Sequence, residues 1–404
     1  MYELLALLAA FALLYSVFAG VVERSWISGP IVFTAFGLAV GPYGFDLVST
    51  LSDPELLKGL AELTLALVLF TDASSSDLNV LGRTRALPLR LLALGLPLTI
   101  LLGYGAGLAL FDGLTLFELA LIATMLAPTD AALGQAVVTN PAVPGEVREA
   151  LNVESGLNDG ICVPIMFLFL GLASGTSGES SPLSTGLSLF AADVGIGLAV
   201  GLALAAAGAW MIRLSRGRGW LSPIWSKVTV IALAFTAFGG AQSLGGSGFI
   251  AAFAGGLLFG GLARPHRDEL LGAAEGIGDT FSLLTWTLFG AVMVGPALTG
   301  FDGATVLYAL LSLTLVRILP VVLVVSGMGL SLESRLFMGW FGPRGLASIV
   351  FAVIVAGSGL PHGSTITSVV VCTVLLSVVL HGVTASPWAT GFGRRAQARS
   401  GGGR

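Results

Sequence analysis

Charge is scarce in this 404-residue sequence: Asp, Glu, Lys and Arg make up 10% of it, whereas a water-soluble domain carries about 25%. So few ionic groups cannot cover a water-exposed surface, which excludes an ordinary soluble enzyme body and leaves no basic patch for nucleic acid. Cysteine is nearly absent. Cys162 and Cys372 both sit inside apolar runs, so they read as buried thiols rather than a disulfide framework or a metal site. His266, His362 and His381 are isolated from one another and no His-Glu-x-x-His occurs, which excludes that zinc-hydrolase pattern. A glycine-rich loop ending in Lys and Ser or Thr is also missing, which disfavours a pump driven by ATP. No resident cofactor is implied.

What the chain has instead is hydrophobic residues, 55% of the total, and a mean hydropathy of +0.93. Apolar runs of about 20 residues, the length that crosses a bilayer as a helix, fall at 2–20, 26–44, 55–75, 86–111, 115–140, 148–173, 187–212, 222–244, 247–263, 275–299, 303–327, 335–357 and 364–383. The prediction is an all-α polytopic membrane protein with about thirteen transmembrane helices. Apolar runs continue along the chain, so the first is read as a retained helix and not a cleaved leader. A single transmembrane domain over 1–390 and a short basic tail over 391–404, expected to be disordered, complete the division. Lengths allow inverted repeats over about 1–173 and 222–388, joined by a connecting helix at about 187–212.

Thirteen spans put the termini on opposite faces. Placing the C-terminus in the cytoplasm gathers Arg24, Arg83, Arg85, Arg90, Arg148, Arg213, Arg216, Arg218, Lys227, Arg264, Arg267, Arg335, Arg394, Arg395, Arg399 and Arg404 inside, with Lys58 alone outside. Asp46, Asp53, Asp112, Glu179 and Asp302 fall on the outer face. That distribution obeys the positive-inside rule and predicts a multi-pass protein of the cell's inner (plasma) membrane with its N-terminus outside.

Ionisable side chains within spans are costly and mark ion or proton pathways by default. Here they are Asp72, Asp130, Glu154, Asp159, Arg317 and Arg344. Any one of them alone also fits a buried structural pair. In the sixth span, residues four apart share a helix face, so Ser155 and Asp159 can line a cavity while Glu154 and Asn158, about 100° round, face a neighbouring helix. Pro128 ahead of Thr129-Asp130 suits an interrupted helix, as does Gly342-Pro343-Arg344-Gly345. An acid at one interruption and an arginine at the other would neutralise the ends of two broken crossing helices. Simple proline kinks are the alternative at each.

These motifs resemble the electroneutral branch of the monovalent cation/proton antiporters, the family of NhaP-type Na⁺/H⁺ antiporters related to the animal sodium/proton exchangers. The similarity rests on Thr129-Asp130, on Glu154-Ser155 through Asn158-Asp159, on Gly248-Phe249-Ile250-Ala251-Ala252-Phe253 and on Gly342-Pro343-Arg344-Gly345. It implies a core domain beside a dimerisation domain, a homodimer in lipid, and exchange of a monovalent cation, sodium foremost, for a proton. By the same resemblance Asp159 is the central ion- and proton-binding acid. Asp130, Ser155, Thr129 and Asp72 join it around the Na⁺. Asn158 marks the electroneutral branch, Glu154 pairs with Arg317, and Arg344 sits at the twelfth-helix break. The sequence departs from the pattern at Ala131, where the family often has proline after Thr-Asp, and in having no long regulatory tail.

Two rival readings have some support. Gly276-Ile277-Gly278-Asp279 and Pro296-Ala297-Leu298 match short motifs of intramembrane aspartyl proteases, but the upstream Tyr-Asp those enzymes need is absent. A channel also lines itself with polar intramembrane residues, whereas paired carboxylates on broken helices favour an alternating site.

Overall fold

The structure, a computed structural model, describes residues 2–23, 25, 27–47, 54–76, 86–130, 133–175 and 182–401. Arg24, Asp53, Arg83, Arg85, Ala131, Glu179 and Arg404 lie outside the described residues, as does the side chain of Arg399. All regular secondary structure among the described residues is helical. Among the described residues eight helices are long and apolar enough to cross a membrane, and Gly29–Val40, Leu116–Met125, Gly248–Leu262 and Leu346–Ala356 are shorter apolar helices. Both cysteines are buried and neither forms a disulfide.

The chain divides into two compact units that each draw on both halves of the sequence: 1–58, 86–155 and 283–404 form the first, and 59–85 and 156–282 the second. In the first unit, Leu87, Leu91, Val137, Val147, Val321, Phe337, Met338 and Phe392 belong to one buried cluster. The last helix runs from Gly363 to Gly401, which corrects the expected disorder of the tail. Its far end is tied down: Phe392 stacks on Phe337 with ring centroids 4.3 Å apart, and Arg395 pairs with Glu333 at 2.5 Å. Helix Gly29–Val40 meets the π-helical turn Phe289–Val294 so closely that a Cβ on Gly37 or Gly290 would overlap the carbonyl of Thr287 or Thr34.

The second unit packs through small residues. A Cβ on Gly201 would overlap the backbone of Ala251, and one on Gly260 that of Ser74. Gly197 and Gly256, each four residues from one of these, make the same kind of approach to Ser247 and Phe70. Small residues at this spacing let helix backbones touch where lipid offers no hydrophobic drive. Ser74 Oγ then donates to the Gly256 carbonyl at 3.0 Å.

Candidate functional site

The fifth apolar segment is not a rod. Thr115 starts its helix with a reciprocal cap: the Thr115 hydroxyl accepts from Glu118 N–H at 3.2 Å and the Glu118 carboxylate accepts from Thr115 N–H at 2.8 Å. The helix stops at Met125, three residues before Pro128, whose ring nitrogen has no hydrogen to continue the ladder. A second short helix, Gln135–Val138, follows. The twelfth segment behaves alike, with helix Leu332–Trp340, an interruption over 341–345 and helix Leu346–Ala356.

Within the first unit the two interruptions satisfy each other. Helix ends leave carbonyls and amides unpaired, and here several find partners from the opposite segment. Arg344 Nη1 donates to the carbonyls of Ala127 at 2.9 Å and Pro128 at 3.2 Å, and Ser348 Oγ donates to Met125 O at 2.7 Å. In return the Asp130 N–H donates to Pro343 O at 2.8 Å, and Asp130 Oδ2 accepts from Leu346 N–H at 2.7 Å. Asp130 Oδ1 accepts from Leu133 N–H at 3.2 Å. The negative carboxylate therefore stands at the positive end of helix Leu346–Ala356, and the fully buried Arg344 at the negative end of helix Leu116–Met125.

Beside this frame, Glu154 and Arg317 are each 1% exposed and form a two-pronged ion pair, with Arg317 Nη1 to Glu154 Oε1 at 2.6 Å and Nη2 to Oε2 at 2.8 Å. One residue on, buried Ser155 donates its hydroxyl to the Thr129 carbonyl at 2.6 Å. The first unit thus brings Thr129, Asp130, Ser155, Glu154, Arg317 and Arg344 into two connected groups of contacts. A Cβ on Gly342 would overlap Arg317 Nε, so this glycine keeps the twelfth-segment interruption close to the ion pair.

Asp72, Asn158 and Asp159 fall in the second unit. Asn158 is buried, and Asp72 and Asp159 are partly exposed. Gly156 admits the Asp72 backbone, which would lie 3.6 Å from a Cβ there, and Ser76 Oγ donates to Asp72 O at 2.8 Å. Helix Gly145–Ser174 carries Ser155 and Asp159 four residues apart.

Several polar contacts around the interruptions were not singled out from the sequence. Ser348 is one, in the first turn of helix Leu346–Ala356, four residues after Arg344. Two of the histidines, expected to be isolated, are engaged: His362 Nδ1 lies 3.1 Å from both carboxylate oxygens of Glu118, and His381 bonds to Trp340 and Ser377. Their sequence isolation hid partners 244 and 41 residues away. The protease motif residue Asp279 is exposed within the unbroken helix Arg267–Leu288.

Known proteins resemble the chain across nearly its whole length. The family described as sodium/hydrogen exchanger, transmembrane, matches residues 7–391. The K⁺/H⁺ antiporter NhaP of Alkalimonas amylolytica is 26% identical over 371 residues, covering 90% of this chain and 63% of that protein. The K⁺/H⁺ antiporter NhaP2 of Shewanella sp. (strain ANA-3) is 26% identical over 392 residues, covering 94% and 64%. The chain therefore spans a little under two thirds of the length of these relatives. Its fold matches that of the sodium proton antiporter MjNhaP1 from Methanocaldococcus jannaschii with a TM-score of 0.74, at 23% identity, over 94% of this chain and 99% of that one. With a match over more than nine tenths of its residues, the chain belongs to the transmembrane sodium/hydrogen exchanger family, a family of multi-pass membrane transporters.

Proposed function

We propose that the chain exchanges one monovalent alkali cation for one proton across the plasma membrane, by alternating access and without net charge movement. The observation that carries this reading is the mutual capping of the two helix interruptions, which leaves intramembrane oxygen ligands ordered around Asp130 and Ser155. Interrupted helices of this kind line ion sites in transporters because their free carbonyls and amides replace water. Family membership supports the same activity.

Asp159 is the acid that alternately holds cation and proton, with Thr129, Ser155 and Asp72 contributing oxygen. Desolvation disfavours its charged form and a bound cation favours it, so the two ligands compete. Asp130 acts as a fixed charge, since both its carboxylate oxygens accept backbone N–H groups. Glu154 is likewise fixed by Arg317, and Asn158 has no proton to exchange. One titrating group per cation gives electroneutral exchange.

Sodium is the cation that the sequence resemblance implies, whereas the two relatives described above are named for potassium. Thirteen spans in inverted repeats, a dimerisation domain in a homodimer, an external N-terminus and a cytoplasmic C-terminus belong to the same reading. The test is proton flux in proteoliposomes with Na⁺, K⁺ and Li⁺ added in turn and the membrane potential clamped or free. Cation-dependent proton movement that is indifferent to the clamp supports the proposal; a cation-driven current, or proton flux that no alkali cation alters, contradicts it.

A further inference from the structure

The last helix, Gly363–Gly401, carries Ser377, His381 and Thr384 at spacings of four and three, which places them on one face. All three side chains meet the ends of the twelfth-segment interruption. The Arg344 backbone N–H donates to Ser377 Oγ at 2.7 Å. Ser377 Oγ lies 3.2 Å from His381 Nδ1, and His381 Nε2 lies 2.9 Å from the carbonyl of Trp340, the last residue of helix Leu332–Trp340. The Trp340 indole lies beside the imidazole, with centroids 5.0 Å apart and planes inclined at 39°, and donates its Nε1–H to Thr384 Oγ1 at 3.0 Å.

Donor and acceptor chemistry orders this chain. A carbonyl only accepts, so the Trp340 contact requires the proton on Nε2. Nδ1 then accepts from the Ser377 hydroxyl, which in turn accepts from Arg344 N–H. The opposite tautomer would place the Nε2 lone pair against the Trp340 oxygen, leave that contact repulsive and turn Nδ1–H toward Ser377 O at 3.1 Å. One arrangement thus joins the carbonyl at the end of one half of the twelfth segment to the backbone amide of Arg344 before the other. Both His381 and Ser377 are buried, at 1% and 0% exposure, so water is not at hand to replace either bond.

We infer that His381 is a positioning residue for ion exchange: through Ser377 and Trp340 it sets the width of the twelfth-segment interruption and thereby holds Arg344 on the Ala127 and Pro128 carbonyls beside Asp130. It touches neither cation nor proton. The inference rests on the exchange reading above and adds the last helix to the parts that shape the site.

The test compares wild type, H381F, H381Q and S377A in the proteoliposome assay, each checked for a monodisperse profile and unchanged melting in detergent. H381F keeps an aromatic ring and removes the donor to Trp340. H381Q places an amide N–H where Nε2–H stood. S377A cuts the middle link and leaves the ring in place. Loss of one buried hydrogen bond at the site corresponds to about a tenfold rise in the half-saturating cation concentration, so H381F is expected to show that rise at little-changed maximal rate. H381Q should recover most of it, and S377A should move in the same direction. If H381F does not fold, the comparison of S377A with H381Q carries the test. Wild-type half-saturation in folded H381F, or in S377A where H381F is lost, would overturn the inference. So would equal loss of maximal rate in H381F and H381Q without any change in half-saturation. Absence of exchange in the wild-type protein would instead defeat the proposed function.

Discussion

Gly345 lies against Asp130 so closely that a Cβ on the glycine would overlap the carboxylate oxygen Oδ2. That same oxygen accepts the N–H of Leu346 at 2.7 Å, so hydrogen is the only side chain that lets the acid reach the start of helix Leu346–Ala356. Gly345→Ala is therefore expected to push Asp130 off its cap. Exchange should fall by at least about tenfold, the cost of one charge-assisted hydrogen bond, measured as proton flux per folded protein. Wild-type flux in Gly345→Ala would show that the cap is dispensable.

The ion pair between Glu154 and Arg317 makes a stability prediction. Both side chains are 1% exposed. Removing one partner strands the other charge, at roughly 3–5 kcal/mol, whereas replacing both by apolar groups of similar size is far milder. Glu154→Gln should consequently lower the melting temperature in detergent sharply, and the double variant Glu154→Leu with Arg317→Met should recover most of it. Additive losses in the double variant would mean that the two residues act separately.

A pH effect on stability follows at Asp302, outside the spanning segments. Asp302 caps helix Gly303–Leu313, with Oδ1 accepting Thr305 N–H at 2.8 Å. That backbone hydrogen bond holds its carboxyl below the usual carboxylate range. A group lowered in the folded state contributes stability above its unfolded pKa and loses it as pH falls through the lowered folded value. Melting temperature should thus decline on acidification in wild type, and Asp302→Asn, which keeps the cap without titrating, should remove that part of the decline. Asp302→Ala should cost about 1 kcal/mol at neutral pH. An identical pH profile in wild type and Asp302→Asn would refute this assignment.

Much of the helical architecture could be read from the chain because its signals are local. Pro128 and the Gly342-Pro343-Gly345 group act on their own segments by removing a backbone donor or a side chain; helix Leu116–Met125 ends just ahead of Pro128, and the second interruption falls over 341–345. The partners of those interruptions are not local. Nothing near Asp130 in sequence indicates that its Oδ2 caps Leu346, 216 residues on. The same holds for His381, whose role depends on Trp340, and for Glu118, which meets His362. The tail departs from expectation for a related reason. Its basic, glycine-containing composition suggests a solvated coil, but Phe392 and Arg395 find Phe337 and Glu333 from another segment and keep the helix going. Composition reports what a segment would do alone, and these segments are not alone.

The central claim is that a single carboxylate, Asp159, gives up a proton when the cation binds. Its most direct test is the number of protons released on adding alkali cation to purified protein in weakly buffered detergent, in wild type, Asp130→Asn and Asp159→Asn. The account predicts about one proton per cation in wild type, continued release in whatever fraction of Asp130→Asn still binds cation, and none in Asp159→Asn. Undiminished proton release from folded Asp159→Asn would contradict it.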